Sequence, residues 1–180
     1  SVVASDAFFP FRDGVDVVHA PGYIAPLAAT IPVIVTMYDT IALQFPQWCR
    51  MGNRLHYGMI LPLSARKARL IIVPSVATRT AIVQRLRVPE ERIRVIPPGI
   101  DESFAARADA DTDSEIIAKH NIRRPYILFV GNLEPKKNIG GLSHAFHLLR
   151  TAGCTTHTLV IAGQPGWGCA PLLRLVHDLG

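Results

Sequence analysis

The sequence predicts an α/β protein built on parallel sheets and divided into two successive units. Three observations predict it. Short runs rich in Val and Ile, at residues 15–20, 32–37, 70–73 and 93–96, are bounded by turn residues, as expected of strands in a covered parallel sheet. Segments with helical spacing, 51–68 and 76–87, lie between them, and strand–helix–strand order implies right-handed crossovers. The alternation then stops and starts afresh about two-thirds of the way along the chain.

The elements follow in order. Ser75 stands just ahead of the helix at 76–87, where its hydroxyl can accept from the first free amides. Pro62 falls inside the helix at 51–68 and is expected to kink or split it. Pro97, Pro98 and Gly99 make a rigid turn, and residues 101–113 are acidic, Ala-rich and poor in large apolar side chains. That stretch is the expected boundary, giving domains at 1–105 and 106–180. A second unit then begins, with a short helix at 114–120 and a strand at 126–130. A helix at 138–151 follows, stopped near Gly153, then a strand at 158–162 and a helix from 170.

Of the 180 residues, 49% are hydrophobic, with Gly and Pro scattered, which suits a globular fold. No apolar run approaches the ~20 residues needed to cross a bilayer. The opening, Ser1-Val2-Val3-Ala4, lacks Met and a basic region, so it does not read as a signal peptide, and something upstream is expected to be missing. Cys49, Cys154 and Cys169 are odd in number and lack CxxC spacing. They read as reduced thiols in a cytoplasmic protein.

The net charge is +5, and its placement is informative. Between Thr40 and Pro89 there is no Asp or Glu, while Arg50, Arg54, Arg66, Lys67, Arg69, Arg79, Arg85 and Arg87 all fall there. Such a field can draw phosphates or anionic lipid headgroups; a solvated basic face is the equal alternative. Nucleic acid is not expected, because aromatic residues are not interleaved with the cations and no reader motif is present.

Ligands of open α/β sheets bind beyond the carboxyl ends of the strands. The most informative loop there is Gly131-Asn132-Leu133-Glu134-Pro135-Lys136-Lys137-Asn138. Gly131 allows close backbone approach, and Asn138 is placed to cap the following helix. Lys136 and Lys137 stand beside that helix's positive end, which costs ~0.3–1 kcal/mol per charge for stability alone. A local rule broken at the mouth of a sheet points to function, and two ammonium groups with helix amides suit a diphosphate. A solvated lysine pair is the structural alternative. Neither GxxxxGK[ST] nor GxGxxG occurs, so a P-loop and a dinucleotide fingerprint are excluded.

Residues 126–146, YILFVGNLEPKKNIGGLSHAF, resemble the first strand, basic loop and helix of the C-terminal domain in retaining glycosyltransferases of family 4. RIRVIPPGID at 92–101 resembles that family's interdomain passage, and TLVIAG at 158–163 its second donor-side strand. The resemblance implies two Rossmann-like domains of GT-B type, both incomplete here: an acceptor-side domain lacking its start and a nucleotide-sugar domain lacking its end. It implies a transferase that moves sugar from a nucleotide-diphosphate donor to a saccharide or lipid-linked acceptor hydroxyl, with retention. The 180 residues alone are expected to be inactive.

By the same resemblance Lys136, Lys137 and Gly131 hold the donor diphosphate, and His19, Asn132 and Gly163 line the cleft. Tyr38 and Asp39 follow the second strand where many family members have a His-Asp pair. Asp39 would orient the acceptor, while Tyr38, with a pKa near ~10, is a poor base. Asp39 as a turn residue, His19 as a strand-end histidine and Ser75 as a helix cap all stay open. His144 and His147 sit three apart without a third metal ligand, and Asp109 with Asp111 has DxD spacing only in the linker. No metal or other cofactor is expected. The implied setting is the cytoplasm or the inner membrane face, with residues 50–87 touching lipid and the building of polysaccharide as the process. A non-catalytic remnant or half of a split assembly is the alternative from another class. An epimerase or phosphorylase of the same fold fits the basic loop less well.

Overall fold

The computed structural model describes residues 14–104 and 110–179, the side chains of 110–113 apart. The chain divides into two compact units, 1–100 and 101–180. The opening segment and the boundary expected at 105/106, with Asp109, lie outside the described residues.

In the first unit, strands β1 (Val18–Ala20), β2 (Val33–Thr36), β3 (Leu70–Val73) and β4 (Ile93–Val95) form one parallel sheet in sequence order. Its register aligns Val35 with Ile71 and Ile71 with Ile93. Because side chains alternate across a strand, Val33, Val35, Ile71, Val73 and Ile93 share one face. That face is buried against Leu61, Ala65, Ala68 and Ile82. The opposite face, with Ile34, Leu70 and Ile72, is only half-buried. The expectation of strands covered on both sides thus holds for one side among the described residues. Strand β1 is also shorter than its apolar run, since residues 15–17 make no ladder.

Between β2 and β3 run α1 (Ile41–Gln44), a 3₁₀ turn (Pro46–Trp48) and α2 (Met51–Lys67). Helix α2 passes through Pro62 unbroken, which corrects the expected split. The residue four back is Gly58, exposed and without a side chain, so its orphaned carbonyl can meet water and the ring has room. Arg92 donates to the carbonyls of Ala65 (2.9 Å) and Ala68, closing the electronegative end of α2. Helix α3 (Val76–Leu86) is capped as expected, Ser75 Oγ accepting from Thr78 N at 3.2 Å.

The second unit contains α4 (Ala110–Lys119), β5 (Tyr126–Val130), α5 (Ile139–Thr151), β6 (Thr158–Ala162) and α6 (Cys169–Leu179). Helix α4 starts four residues earlier than expected, inside the acidic stretch, which favours a helix N-terminus electrostatically. Strands β5 and β6 pair in parallel, Leu128 opposite Val160. Ile127, Leu128 and Val130 of β5 are exposed, because a sheet of two strands covers little of either face.

Candidate functional site

Two sets of residues gather at carboxyl strand ends, one in each unit. In the first, β1 and β2 end side by side. His19 Nε2 and Thr36 Oγ1 lie 2.8 Å apart, tying the strand ends together. Tyr23 follows in a left-handed backbone conformation (φ 68°), and its amide donates to the Thr36 carbonyl at 3.0 Å. The Tyr23 ring meets Tyr38 and Tyr57 edge-on, with centroids 5.8 and 5.5 Å apart. Its phenol lies beside Asp39. Burial first, then the neighbouring carboxylate, push the Tyr23 hydroxyl well above the ordinary tyrosine range.

Asp39 is half-buried and already engaged. Oδ1 accepts from Ile41 N at 3.0 Å, starting α1, and the phenol of Tyr23 stands beside the carboxylate. The turn role of Asp39 is therefore real, yet a carboxylate has about four lone-pair sites, so positions remain for an acceptor hydroxyl. Tyr38 is exposed, and its carbonyl accepts from Thr78 Oγ1 at 3.3 Å, linking this loop to the first turn of α3. Tyr23, Thr36 and Thr78 were not singled out by sequence. Only the Pro21-Gly22 turn before Tyr23 offered a signal.

In the second unit, the loops after β5 and β6 are laced together. Gly131 N donates to Ala162 O and Leu133 N to Gln164 O, both at 2.9 Å. A Cβ on Gly163 would overlap the Gly131 carbonyl, and one on Gly166 would strike the Glu134 side chain. Gly163 is there for contact between two backbones, Gly166 to leave room for the Glu134 side chain. Lys136 and Lys137 lie in a 3₁₀ turn (Pro135–Lys137). Lys136 Nζ pairs with Glu134 Oε2 at 3.2 Å, whereas the Lys137 chain runs past Gly131. The two ammonium groups thus have different neighbours.

Asn138 occupies the cap position of α5, but its side chain makes no capping bond, a correction to the sequence expectation. Its backbone is left-handed (φ 51°), which turns the side chain onto Gly141; the carbonyl of Asn138 accepts from Leu142 N instead. Asn132 O accepts from Glu134 N at 2.9 Å. A cavity of about 290 Å³ opens between this loop and the start of α6, lined by Glu134, Asn138, Gly140, Gly168 and Leu172. A larger hollow of about 700 Å³ lies at the amino ends of β1 to β3, beside Arg69 and Arg92. That is the wrong end of a parallel sheet for a nucleotide. Among the described residues no group of three or more His, Cys, Asp or Glu could hold a metal, and His147 Nδ1 lies 3.1 Å from Leu179 O.

Parallel sheets with helical crossovers in two successive units are the architecture of GT-B glycosyltransferases, and solved structures agree. HepE from Anabaena, in complex with UDP and glucose, matches with a TM-score of 0.63 and 21% identity, over 91% of this chain and 44% of that one. The same protein with UDP alone gives 0.59 and 20%, covering 83% and 38%. The model of Glycosyltransferase Family 4 matches residues 7–104, more than half of the chain, and the chain belongs to that family. O-antigen chain mannosyltransferase B of Escherichia coli is 26% identical over 159 residues, 88% of this chain. The chain spans about two-fifths of the length of that curated relative.

Proposed function

We propose that this chain supplies the acceptor-side unit and the opening of the donor-side unit of a retaining glycosyltransferase. The observation that carries the reading is the family match across residues 7–104, which falls on the unit where Tyr38 and Asp39 close the sheet. Lys137 and Gly131, with Lys136 beside them, are assigned to the donor diphosphate, which gains negative charge as it leaves. At ~4 Å and an effective dielectric near 20, one lysine–phosphate pair is worth about 4 kcal/mol before desolvation. Front-side displacement needs no protein nucleophile, so positioning and leaving-group charge dominate. Asp39 orients the acceptor hydroxyl; Tyr38 borders it. Asn132, His19 and Gly163 complete the proposed lining.

HepE was solved with UDP and UDP-glucose, and the bacterial relative's name is that of a mannosyltransferase. A nucleotide-sugar donor and a saccharide or lipid-linked acceptor of surface polysaccharide follow as the proposed substrates. The cytoplasm, at the inner membrane face, is the proposed place of work. No resident metal is assigned, and undiminished nucleotide binding in EDTA is the expected result. Calorimetric titration of UDP and GDP against the chain and a Lys136→Ala/Lys137→Ala variant tests the donor site. Equal binding by the two proteins removes it.

Tyr38 in the place of the family's histidine favours a second reading, a binding module without catalysis. Donor binding without transfer to any added saccharide, once the rest of a nucleotide-sugar domain is joined to these residues, is the outcome that selects it.

A further inference from the structure

Four rings run in an unbroken row beside Asp39. Tyr38 meets Tyr23 edge-on at 5.8 Å, Tyr23 meets Tyr57 at 5.5 Å, and Tyr57 meets His56 at 5.2 Å. Three stretches of chain supply them: the turn after β1, the loop after β2 and the second turn of α2. The inner two, Tyr23 and Tyr57, pack against the core of the first unit. The outer two, Tyr38 and His56, are exposed, Tyr38 to 48%. Core packing accounts for the inner pair and leaves the outer pair without a structural reason. Tyr38 is nonetheless held in place, because its carbonyl accepts from Thr78. An aromatic ring kept half in water at the carboxyl end of a parallel sheet, next to a carboxylate, stands where such sheets take ligands.

We propose that this row is a saccharide subsite, with one pyranose of the acceptor stacked on Tyr38 and its neighbour reaching towards Tyr57 and His56. The chemistry of a sugar selects that occupant. A pyranose carries polarised C–H groups on its faces and hydroxyls around its rim. The face of an aromatic ring is the negative end of its quadrupole and attracts the C–H groups, while a carboxylate accepts from the hydroxyls. Tyr38 and Asp39, adjacent in the chain, supply one group of each kind. The row contains no Lys or Arg, and the Asp39 charge repels phosphate, so a neutral polyol fits here better than a nucleotide. Four rings in line outrun a single sugar, which makes the acceptor a chain of at least two. Tyrosine also offers contact area at little cost in side-chain entropy. Tyr38 stands where many family members have histidine, whose smaller ring gives less to stack on, so the platform belongs to this chain. The inference rests on the acceptor role given to Asp39 above and deepens it, naming sugar rings as what the first unit grips.

Saturation-transfer NMR on the 180-residue chain, without nucleotide, tests it. The probes are maltose, cellobiose and mannobiose, the methyl glycosides of glucose and mannose, open-chain sorbitol, and tetraproline. Transfer is expected to the ring C–H protons of the sugars, stronger for a disaccharide than for its methyl glycoside, and not to sorbitol. Tyr38→Ala should lower disaccharide affinity about three- to tenfold. Tyr38→Phe should retain it, and Tyr38→His should fall between. Tyr38 is a surface position, and unchanged far-ultraviolet circular dichroism would certify the fold. Asp39→Asn keeps an oxygen for the Ile41 amide and should weaken binding severalfold through the lost charge. Binding that needs Tyr38 but not Asp39 upholds the subsite and removes the acceptor role of Asp39; binding that needs Asp39 but not Tyr38 does the reverse. No transfer to any sugar, or sorbitol bound as well as the disaccharides, overturns the proposal. So does tetraproline bound in place of the sugars, which would make the row a seat for a peptide.

Discussion

Tyr23, held in a left-handed backbone, sets its phenol beside Asp39, sixteen residues on and just past the end of the neighbouring strand. Positive φ is costly for a bulky residue and persists only where surroundings over-determine it. Here they do so: the amide is bound to Thr36 O and the ring is held between Tyr38 and Tyr57. The carboxylate assigned to the acceptor is thus held by the Ile41 amide, with a buried phenol beside it.

The proton on Tyr23 gives the first test. Its hydroxyl is pushed above the ordinary 10.0, chiefly by burial and then by Asp39. The folded chain therefore holds this proton more tightly than the unfolded chain does. Stability is unaffected below about pH 10 and falls as pH rises beyond it, because unfolding then releases the proton. In an alkaline absorbance titration, one of the four tyrosines should ionise late. Tyr23→Phe should abolish the late phase and flatten the alkaline loss of stability, while Asp39→Asn moves the phase earlier. At neutral pH, Tyr23→Phe should cost about 0.5–1.5 kcal/mol in denaturant unfolding.

Gly163 tests the lacing of the two donor-side loops. Alanine there would drive its Cβ into the Gly131 carbonyl, a backbone atom that cannot rotate aside. Gly163→Ala should destabilise by about 1–3 kcal/mol, read as a lower Tm. Nucleotide binding should weaken with it, since the Gly131 turn moves. Gly153→Ala is the contrasting variant: its added carbon has open space, and only its positive φ of 67° would be strained.

Ser75 tests a cap that was legible in advance. Ser75→Ala removes the acceptor of Thr78 N and should cost ~0.5–2 kcal/mol by chemical denaturation. Thr78 also holds the Tyr38 carbonyl, so a loosened first turn of α3 should raise hydrogen exchange around Tyr38 and Asp39.

Ser75 shows what kind of information a sequence carries well. Its role depends on three neighbouring residues, as the strand at Leu70–Val73 depends on four. The parallel strand order and the lysine loop were legible for the same reason, local pattern and length. Asn138 was misread because side-chain type suggests a cap while the backbone dihedral decides it, and φ is not written in composition. Pro62 was misread because its cost depends on Gly58, whose exposure is a tertiary fact. The nearness of Tyr23 to Asp39 was invisible, for it needs a turn and two paired strands before the two residues meet. Glu134 beside Lys136 could have been found, two residues away in a Pro-containing turn, had the acid been weighed with the bases.

Glu134 supplies the last prediction. Its pairing with Lys136 is partly exposed, the side chains 18% and 36% accessible, so the pair contributes at most about 1 kcal/mol to stability. Glu134→Gln should therefore leave Tm nearly unchanged. For the proposed donor site the consequence is larger, because the carboxylate stands beside the lysine pair and occupies one of its two cations. Neutralising it removes a repulsion and frees Lys136, and UDP affinity should rise severalfold, up to about tenfold for 1.4 kcal/mol. Lys137→Ala should lower affinity more than Lys136→Ala in the parent, because only Lys136 is held by an acid there. In the Glu134→Gln background the two alanine variants should converge. Calorimetry on the four proteins measures each step, and an unchanged or weaker affinity for Glu134→Gln would remove Lys136 from the phosphate site.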